Sequence, residues 1–290
     1  MVSAQARREQ VAYARRRGIS CRRACALLSV ARSALGYESK LAAKDRELAE
    51  ELKSLSLKFP RLGYRMVRNK LDKPVSYGRV YRVWRKTGLC QPRRRPRKRI
   101  RGGGHRWLSP ITPNGMWAYD FAHDECANGQ KLKCLIVVDE WTKEILAIEV
   151  DGRIQSGKVI ELLAKLFSSY GPPAFLRSDN GPEFVAKAVR SWLESQGVAT
   201  AYIEPGKPWQ NGVAESYVNR FRDECLGVEW FNHRLEAKLV IERWRRLFNE
   251  ERPHSSIGYM TPARKRNDWL RTHGPKWGVK SGPNRSTLSA

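Results

Sequence analysis

Three carboxylates lie where two strands and a helix could bring them together. Asp120 lies in the apolar run 116–121, Asp179 directly follows the predicted strand 174–178, and Glu215 lies one turn into a helical stretch. Carboxylate oxygens are hard ligands that suit Mg²⁺. Two such ions about 4 Å apart can clamp the attacking and leaving oxygens of a phosphoryl displacement. The three acids therefore predict a site for phosphodiester cleavage and joining, with two Mg²⁺ ions for which Mn²⁺ can substitute.

Each acid also has a structural interpretation. Asp120 could be a turn residue at the end of a strand, and Asp179 lies in Asp-Asn-Gly-Pro, an ordinary turn sequence. Glu215 could be a first-turn glutamate that the helix dipole favours. The metal site is favoured because the predicted fold order places all three acids at one edge. Four neighbouring acids are alternative metal ligands: Asp124, Asp139, Glu140 and Glu183. Roles in turns or helix caps explain them better, although Glu183 is close enough to influence the site.

The charge of the chain indicates a polyanionic partner. The formal net charge is +26 and the isoelectric point is near 10.3. Residues 1–110 contain 30 Lys and Arg against 7 Asp and Glu, whereas residues 111–290 contain 25 against 22. The first third is therefore the better candidate for contact with DNA, and the alternative is a basic surface that is merely solvated.

The six cysteines predict neither disulfides nor a zinc site. None belongs to a C-x-x-C pair, and Cys21 and Cys25 lie four apart in a helical pattern, which favours small buried residues. There is no apolar run of the length that spans a membrane and no secretory leader pattern. We therefore expect a cytoplasmic, nucleoid-associated bacterial protein, or a nuclear one, without a membrane partner.

The N-terminal residues predict a helix-turn-helix. Helices are expected over 7–17, 20–28 and 30–35, with a break at Gly18 and with Ser20 as a helix cap. The apolar stripe of the second helix is expected to contain Ala24, Leu27 and Leu28. Helix, glycine-containing turn and helix is the spacing of a DNA-binding helix-turn-helix, although a plain three-helix bundle has the same pattern. The predicted DNA contacts are Arg22, Arg23 and Arg32.

More helices and a basic linker follow. Residues 40–59 predict one amphipathic helix, and 64–71 and 77–88 predict a second DNA-contacting helical unit that includes Arg65, Arg79 and Arg82. Residues 91–108 then predict a linker that lies along phosphates or in a minor groove, the alternative being a solvated tether. The predicted DNA contacts of the linker are Arg93, Arg94, Arg95, Arg97, Lys98 and Arg99.

From Trp117 onward the pattern predicts an α/β domain. Its expected elements are strands 116–121, 132–138 and 145–150, helix 156–170, strand 174–178, helix 183–197, strand 198–203 and helix 213–226. This order resembles an RNase H-like fold, a five-stranded mixed sheet with helices. In that fold the first and fourth strands are neighbours, which would bring Asp120 next to Asp179.

These patterns divide the chain into five segments. They are a helix-turn-helix with an amphipathic helix (1–58), a second helix-turn-helix-like unit (59–90), a basic linker (91–108), an RNase H-like catalytic core (109–265) and a frayed C-terminal tail (266–290). The fold class is thus α/β, preceded by all-α units.

Three motifs carry a family resemblance. The segments 117–121, 178–184 and 208–216 resemble the integrase catalytic core that retroviral integrases and insertion-sequence transposases share. The 35 residues between Asp179 and Glu215 are similar to that family's acidic signature, and Arg222 matches its basic residue seven positions after the glutamate. Residues 244–262 resemble the insertion-sequence-three family, as do 61–65 with 80–82.

The resemblance implies a transposase that cleaves and joins DNA without a covalent protein intermediate. Asp120, Asp179 and Glu215 would hold the metal ions and Arg222 would contact a phosphate. It also implies double-stranded element ends and target DNA as substrates, a homo-oligomer on DNA, and an upstream-frame product or fusion as partner, since the chain resembles the downstream product. His254 is interpreted as a structural residue. A non-catalytic or domesticated DNA-binding regulator and an RNase H-like nuclease remain the alternatives.

Overall fold

The computed structural model describes residues 3–37, 41–91, 109–178, 187–202, 212–274 and 288–289. The chain divides into two compact units, Met1–Lys53 and Ser54–Ala290. The predicted contacts of the linker, from Arg93 to Arg99, lie outside the described residues, as do Asp179 and Glu183. In the described part of the chain, no helix combines the length and the apolar character needed to cross a membrane.

The first unit is helical. Its helices are α1 (Ala4–Arg16), α2 (Cys21–Leu27), α3 (Leu41–Lys44) and the beginning of α4 (Arg46–Lys58), with a 3₁₀ turn at Arg32–Ala34 where a third helix was expected. Ser20 caps α2 as predicted, because its hydroxyl accepts the backbone N–H of Arg23 at 3.4 Å. The predicted helix 40–59 is therefore two segments that meet at Asp45.

The predicted apolar stripe of α2 was wrong at one residue, which is exposed and not buried. Leu27 is 68% exposed, whereas Ala24 and Cys25 are buried against Val11. The buried face consists of residues 21, 24, 25 and 28, which follow the helical repeat, and Leu27 lies to one side of it. Cys25 thus occupies the core, as expected for a small apolar residue.

The second unit begins with two short helices, α5 (Tyr64–Arg68) and α6 (Tyr77–Lys86). Helix α5 ends three residues before its predicted end at 71. The two helices pack together, and their buried residues are Val67, Val80, Val83 and Trp84. Ser76 caps α6 by accepting the backbone N–H of Arg79 at 3.4 Å.

A five-stranded mixed sheet forms the centre of the second unit, as predicted. Its strands are β2 (Met116–Glu125), β3 (Lys131–Asp139), β4 (Ile145–Asp151), β5 (Phe175–Ser178) and β6 (Ala199–Tyr202). Their order in the sheet is β4-β3-β2-β5-β6. The first three strands form an antiparallel meander, and β5 lies parallel to both β2 and β6. This arrangement confirms the RNase H-like fold and the predicted pairing of the strands that contain Asp120 and lead to Asp179.

Helices cover both faces of the sheet. Helices α7 (Ser156–Tyr170) and α8 (Lys187–Ser195) pack on the face that includes Trp117 and Tyr119 of β2. Helices α9 (Gly212–Phe221) and α10 (Arg234–Glu250) pack on the face that includes Ala118 and Ala122. Because successive side chains of a strand point to opposite faces, β2 contributes to both cores.

The C-terminal boundary differs from the prediction. Residues 266–273, expected to be a frayed tail, continue helix α11 (Pro262–His273). Thr261 caps this helix and a proline occupies its first turn, a start signal that the sequence contains. The helix is held in place because Arg266 pairs with Glu144, and the ring of Trp269 lies 5.0 Å from that of Trp141. A two-residue strand β1 (Ser109–Pro110) pairs with β7 (Leu288–Ser289).

Candidate active site

Strand β2 places Asp120 on the sheet face that α9 covers. Its neighbours on that face, Ala118 and Ala122, are fully buried, whereas Asp120 is half-buried. The last pair between β2 and β5 is Ala118 with Arg177, so Asp120 lies two residues beyond it at the carboxyl end of a parallel strand pair. Carboxyl ends of parallel strands are where α/β sheets place ligand sites. One Asp120 carboxylate oxygen accepts the backbone N–H of Phe121 at 2.7 Å.

Helix α9 places Glu215 on the same side of the sheet. The helix packs against β2 and β3 through a buried stripe, and Glu215 lies in its first turn with an exposed side chain. The hydroxyl of Tyr217 donates to the backbone oxygen of Lys143 at 2.9 Å, which fixes the helix against the β3–β4 turn. The buried residues of the stripe are Ala214, Tyr217, Val218 and Phe221. Within the described part of the chain, the Glu215 carboxylate forms no ion pair.

The third acid follows strand β5. The strand ends at Ser178, the residue before Asp179, and Leu176, Arg177 and Ser178 are buried. Asp179 itself lies outside the described residues. The structure therefore brings together the elements that contain Asp120 and Glu215, next to the strand from which Asp179 continues.

The donor types on this face suit a hard cation. Among the described residues, no three His, Cys, Asp or Glu side chains are grouped as a metal site would require, and only two of the three predicted acids are described. Asp120 and Glu215 are both accessible carboxylates, the ligand type that Mg²⁺ prefers. The nearby thiols of Cys126, Cys134 and Cys225 are buried, and burial raises the pKa of each, that of Cys134 to about 12. These thiols stay protonated, which disfavours a thiolate-bound metal.

The acids in the β3–β4 turn have a different role. Asp139 is buried, and its oxygens accept the backbone N–H groups of Asn114, Trp141 and Thr142, each at 2.8 Å. Glu140 is also buried and pairs with Arg177 at 2.9 Å. Sequence reasoning identified both as turn residues but missed their burial and the cation on the neighbouring strand. Asp124 is exposed, four residues beyond Asp120 on the same strand.

Arg222 lies where helix α9 changes its hydrogen-bond pattern. The helix was predicted to run to Leu226, but its α-helical part ends at Phe221 and a π-helical turn covers Arg222–Leu226. Arg222 is exposed, and its backbone oxygen accepts the N–H of Gly227 at 2.7 Å. Seven residues of helix place Glu215 and Arg222 on one side of it, two turns apart.

A buried ion pair that sequence reasoning missed anchors the π-helical turn. Arg252 donates two hydrogen bonds to the carboxylate of Glu224, at 2.7 and 2.6 Å, and both side chains are largely buried. Such a bidentate pair fixes orientation as well as position. Arg252 lies within residues 244–262, which resemble the insertion-sequence-three family, and this resemblance was the signal in the sequence that could have identified it.

His254 is a structural residue, in agreement with its interpretation from sequence. It is 3% exposed, and its ring lies edge-on to Phe248 at 4.7 Å. Burial, reinforced by nearby cations such as Arg252, lowers its pKa to about 2. The imidazole is therefore neutral at physiological pH and is shielded from solvent.

The described arginines predicted to contact DNA are all exposed. Arg22, Arg23 and Arg32 belong to the first unit. Arg65, Arg79 and Arg82 belong to the second unit, on α5 and α6. Each unit thus presents cations to solvent on its helices, while the predicted contacts in the linker have no described position.

Comparison with protein families supports the fold. A family model described as an integrase core domain matches residues 111–208, and a second with the same description matches residues 196–262. Together these segments include Asp120, Asp179 and Glu215, the three acids selected by their spacing.

Individual relatives come from insertion elements. An uncharacterized 31.7 kDa protein of insertion element IS407 from Burkholderia multivorans is 38% identical over 248 residues, which cover 84% of this chain and 90% of the relative. A putative transposase InsD for insertion element IS2E from Escherichia coli is 26% identical over 198 residues, 65% of this chain and 89% of the relative. Among solved structures, the HTLV-2 integrase catalytic core domain in complex with magnesium is 17% identical with a TM-score of 0.39, covering 55% of this chain and 99% of that one.

Proposed function

The chain belongs to the insertion-sequence-three family of transposases with an integrase core domain, and we propose that it catalyses metal-dependent DNA cleavage and strand transfer. The observation that carries this proposal is the placement of Asp120 and Glu215 on one side of the sheet. Asp120 lies two residues beyond the last residue pair of two parallel strands, and the second of these strands ends directly before Asp179. Glu215 lies on the helix that packs on the same face of the sheet as Asp120.

In this proposal Asp120, Asp179 and Glu215 hold two Mg²⁺ ions, or Mn²⁺ in their place. Arg177, two residues before Asp179, is paired on β5 with Ala118, two residues before Asp120, and this register supports grouping the two aspartates. When bound, the ions would supply Lewis acidity for the attacking and leaving oxygens of the phosphate. The hydrogen bonds within the buried turn that contains Asp139, and the bond from Tyr217 that fixes helix α9 to that turn, support a rigid scaffold for Asp120 and Glu215.

The reaction consists of two phosphoryl transfers. Water attacks a phosphodiester at the element end and the 3′-oxygen leaves as a hydroxyl; that hydroxyl then attacks a target phosphodiester, and a second 3′-oxygen leaves. Arg222, exposed on the helix that contains Glu215, binds a phosphate near the scissile bond. Neither step forms a covalent bond to the protein.

The proposed substrates are double-stranded element ends and target DNA. The name of the Escherichia coli relative, a putative transposase for an insertion element, supports them, and the basic N-terminal third supports contact with a polyanion. We further propose a homo-oligomer on DNA, an upstream-frame product or fusion as partner, and association with the bacterial nucleoid in the cytoplasm.

Substitution of each acid by its amide tests the catalytic assignment. We expect Asp120→Asn, Asp179→Asn and Glu215→Gln each to lower cleavage and joining by at least about a hundredfold, because each removes a ligand charge at nearly constant volume. Binding to element ends, measured in parallel by fluorescence anisotropy, should stay within about twofold of wild type. Removal of the divalent cation with EDTA should stop the reaction, and Mg²⁺ should restore it.

The matched control is Asp124→Asn, the same change four residues along the same strand at an exposed side chain. It should retain wild-type activity. If one of the three amide variants stays as active as this control, its residue is not a ligand. A wild-type protein that binds element ends without reaction would be a regulator, and one that cuts pre-nicked ends without joining them would be a nuclease.

A further inference from the structure

We infer that Glu251 is a positioning residue that holds the helical unit of α5 and α6 on the α/β core and thereby sets which phosphodiester of a bound element end is cleaved. This inference rests on the proposed function, because it concerns the same cleavage step. It adds a residue outside the proposed catalytic set.

The carboxylate of Glu251 meets two lysines from the N-terminal part of the second unit. One of its oxygens lies 2.5 Å from Lys58 Nζ and 3.6 Å from Lys70 Nζ. Lys70 also donates to the backbone oxygen of Glu251 at 3.1 Å. The hydrogen bond from Lys58 holds the pKa of the Glu251 carboxyl below its usual range, so the group is ionised at neutral pH. Since the two lysines lie on either side of α5 in the chain, the contacts hold the chain before and after that helix.

The ring of Phe59 restricts where these lysines can lie. It is buried, and the ammonium groups of Lys58 and Lys70 lie 5.7 and 5.3 Å from its centre. A cation near the face of an aromatic ring is attracted to it. Exposed ion pairs are usually weak because two long side chains must be ordered to form them. Here the ring favours one arrangement of both lysines, so that less order is lost when they bind Glu251.

The residue after Glu251 contacts the catalytic helix instead. Arg252 forms its two hydrogen bonds with Glu224, in the π-helical turn that extends α9. The backbone N–H groups of Glu251 and Arg252 both donate to the carbonyl of Leu247 at 3.0 Å, which fixes the two residues at the end of α10. Two consecutive residues thus connect the α5–α6 unit, on one side, with the helix that contains Glu215, on the other.

The covalent connection by itself does not fix this distance. Residues 92–108 join the α5–α6 unit to the strands, and 17 residues can span up to about 60 Å. Along each strand of duplex DNA, one phosphate follows another about every 3.4 Å. A shift of the helical unit by a few ångströms would therefore present a neighbouring phosphodiester to Asp120 and Glu215. The ion pairs at Glu251 oppose such a shift.

The test maps the position of cleavage at nucleotide resolution. The probe is an end-labelled duplex with the terminal sequence of the element that encodes the chain, extended by flanking DNA, and wild type should cut it mainly at one phosphodiester. We expect Glu251→Gln, which removes the charge at nearly constant size, to raise the fraction of cuts at neighbouring phosphodiesters about threefold or more. Glu251→Lys, which repels both lysines, should raise it further, whereas Glu251→Asp keeps the charge and should cut as wild type does.

The matched controls are Glu250→Gln and Glu250→Lys, the same changes at the exposed residue that precedes Glu251. They alter the net charge, and with it the general attraction to DNA, by the same amount. Both should keep the wild-type position of cleavage. Fluorescence anisotropy should give affinities for the duplex that agree within about twofold between each Glu251 variant and its control.

Wild-type cleavage positions in both Glu251→Gln and Glu251→Lys would overturn the inference and leave the proposed catalysis intact. A lower yield with every remaining cut at the wild-type position would overturn it as well, because Glu251 would then support the fold without setting the position. A wild-type protein that binds the duplex but cuts nothing would overturn the proposed catalysis, and the inference with it.

Discussion

At the scale of single residues, burial separates two sets of acids around one sheet. Asp120 and Glu215 are accessible, whereas Asp139, Glu140 and Glu144 are buried and bound to backbone N–H groups or to arginines. An accessible carboxylate can exchange water for a metal ion at low cost. A buried one that already accepts several hydrogen bonds would have to give them up, with a penalty of about 1–3 kcal/mol for each group left unsatisfied. Residue type alone does not distinguish the two sets.

The burial of His254 predicts a pH effect on stability. The folded protein excludes the proton that the unfolded chain takes up below pH 6.5, because burial lowers the folded pKa to about 2. The free energy of unfolding should therefore fall as the pH falls below 6.5 and should not change through this group above it. At pH 5.5 the loss from His254 should be about 1 kcal/mol.

Urea unfolding of wild type and His254→Gln at pH 7.5 and 5.5 measures this effect. The variant should lose about 1 kcal/mol less than wild type between the two pH values, whatever its absolute stability. Parallel losses in the two proteins would show that His254 takes up protons in the folded state.

At the scale of elements, helix α9 and its π-helical extension connect the candidate catalytic acid to Arg222. The α-helical part presents Glu215 in its first turn, and the π turn begins at Arg222. Two features hold the turn in shape, the Arg252–Glu224 pair and the close passage of Gly227 over the Arg222 carbonyl. Single π-helical turns within α-helices are frequent at functional sites.

Gly227 is expected to be intolerant of a side chain for this reason. A Cβ added at Gly227 would lie 2.9 Å from the backbone oxygen of Arg222, so the π turn would have to shift. We expect Gly227→Ala to lower the free energy of unfolding by about 1–3 kcal/mol, the usual cost of overpacking. Strand transfer should fall beyond that loss of stability, since the turn begins at the arginine proposed to bind phosphate.

Thermal unfolding and strand transfer of Gly227→Ala, with Gly157→Ala as control, separate the two effects. The control should show neither loss, because its added methyl meets open space. A Gly227→Ala protein with wild-type stability would mean that the turn relaxes without cost.

At the scale of the whole molecule, the excess positive charge and the α/β sheet occupy different parts of the chain. The first 110 residues hold nearly all of the excess positive charge, and the sheet with its helices follows. Nothing in an α/β core of this kind needs that charge for folding. Concentrated positive charge instead raises the affinity for DNA and makes it dependent on salt.

The basic linker provides a test of this division, although it lies outside the described residues. Replacing the seven basic residues between positions 93 and 101 by Gln should weaken binding to any DNA and flatten the plot of log affinity against log salt, by about 0.9 for each phosphate that is no longer neutralised. Discrimination between element ends and random DNA should survive, because base reading is assigned to the helices before it. The residues are Arg93, Arg94, Arg95, Arg97, Lys98, Arg99 and Arg101.

The matched control replaces the six arginines among these seven residues by Lys, which keeps every charge. Its salt dependence should equal that of wild type. An unchanged slope in the Gln variant would identify the segment as a tether that does not bind phosphate.

The sequence by itself determined the order of elements and the candidate acids. Short, continuous apolar runs marked β2, β3 and β4, as expected for strands that are covered on both faces, and the helical repeat marked α7 and α9. The positions of Asp120, Asp179 and Glu215 relative to those elements were therefore predictable from the sequence. So was the pairing of β2 with β5, through the resemblance of the strand and helix order to an RNase H-like fold.

Only the tertiary structure decided which charged residues are buried and which partner residue each of them pairs with. Glu140 and Arg177 are 37 positions apart in the chain, and Glu224 and Arg252 are 28 apart, so no local pattern connects either pair. The same holds for helix α11, whose last two turns contain few apolar residues and are retained by Trp269 and Arg266 packing on distant side chains. Local periodicity specifies an element, but partners across the fold are chosen by the three-dimensional arrangement that all the elements reach together.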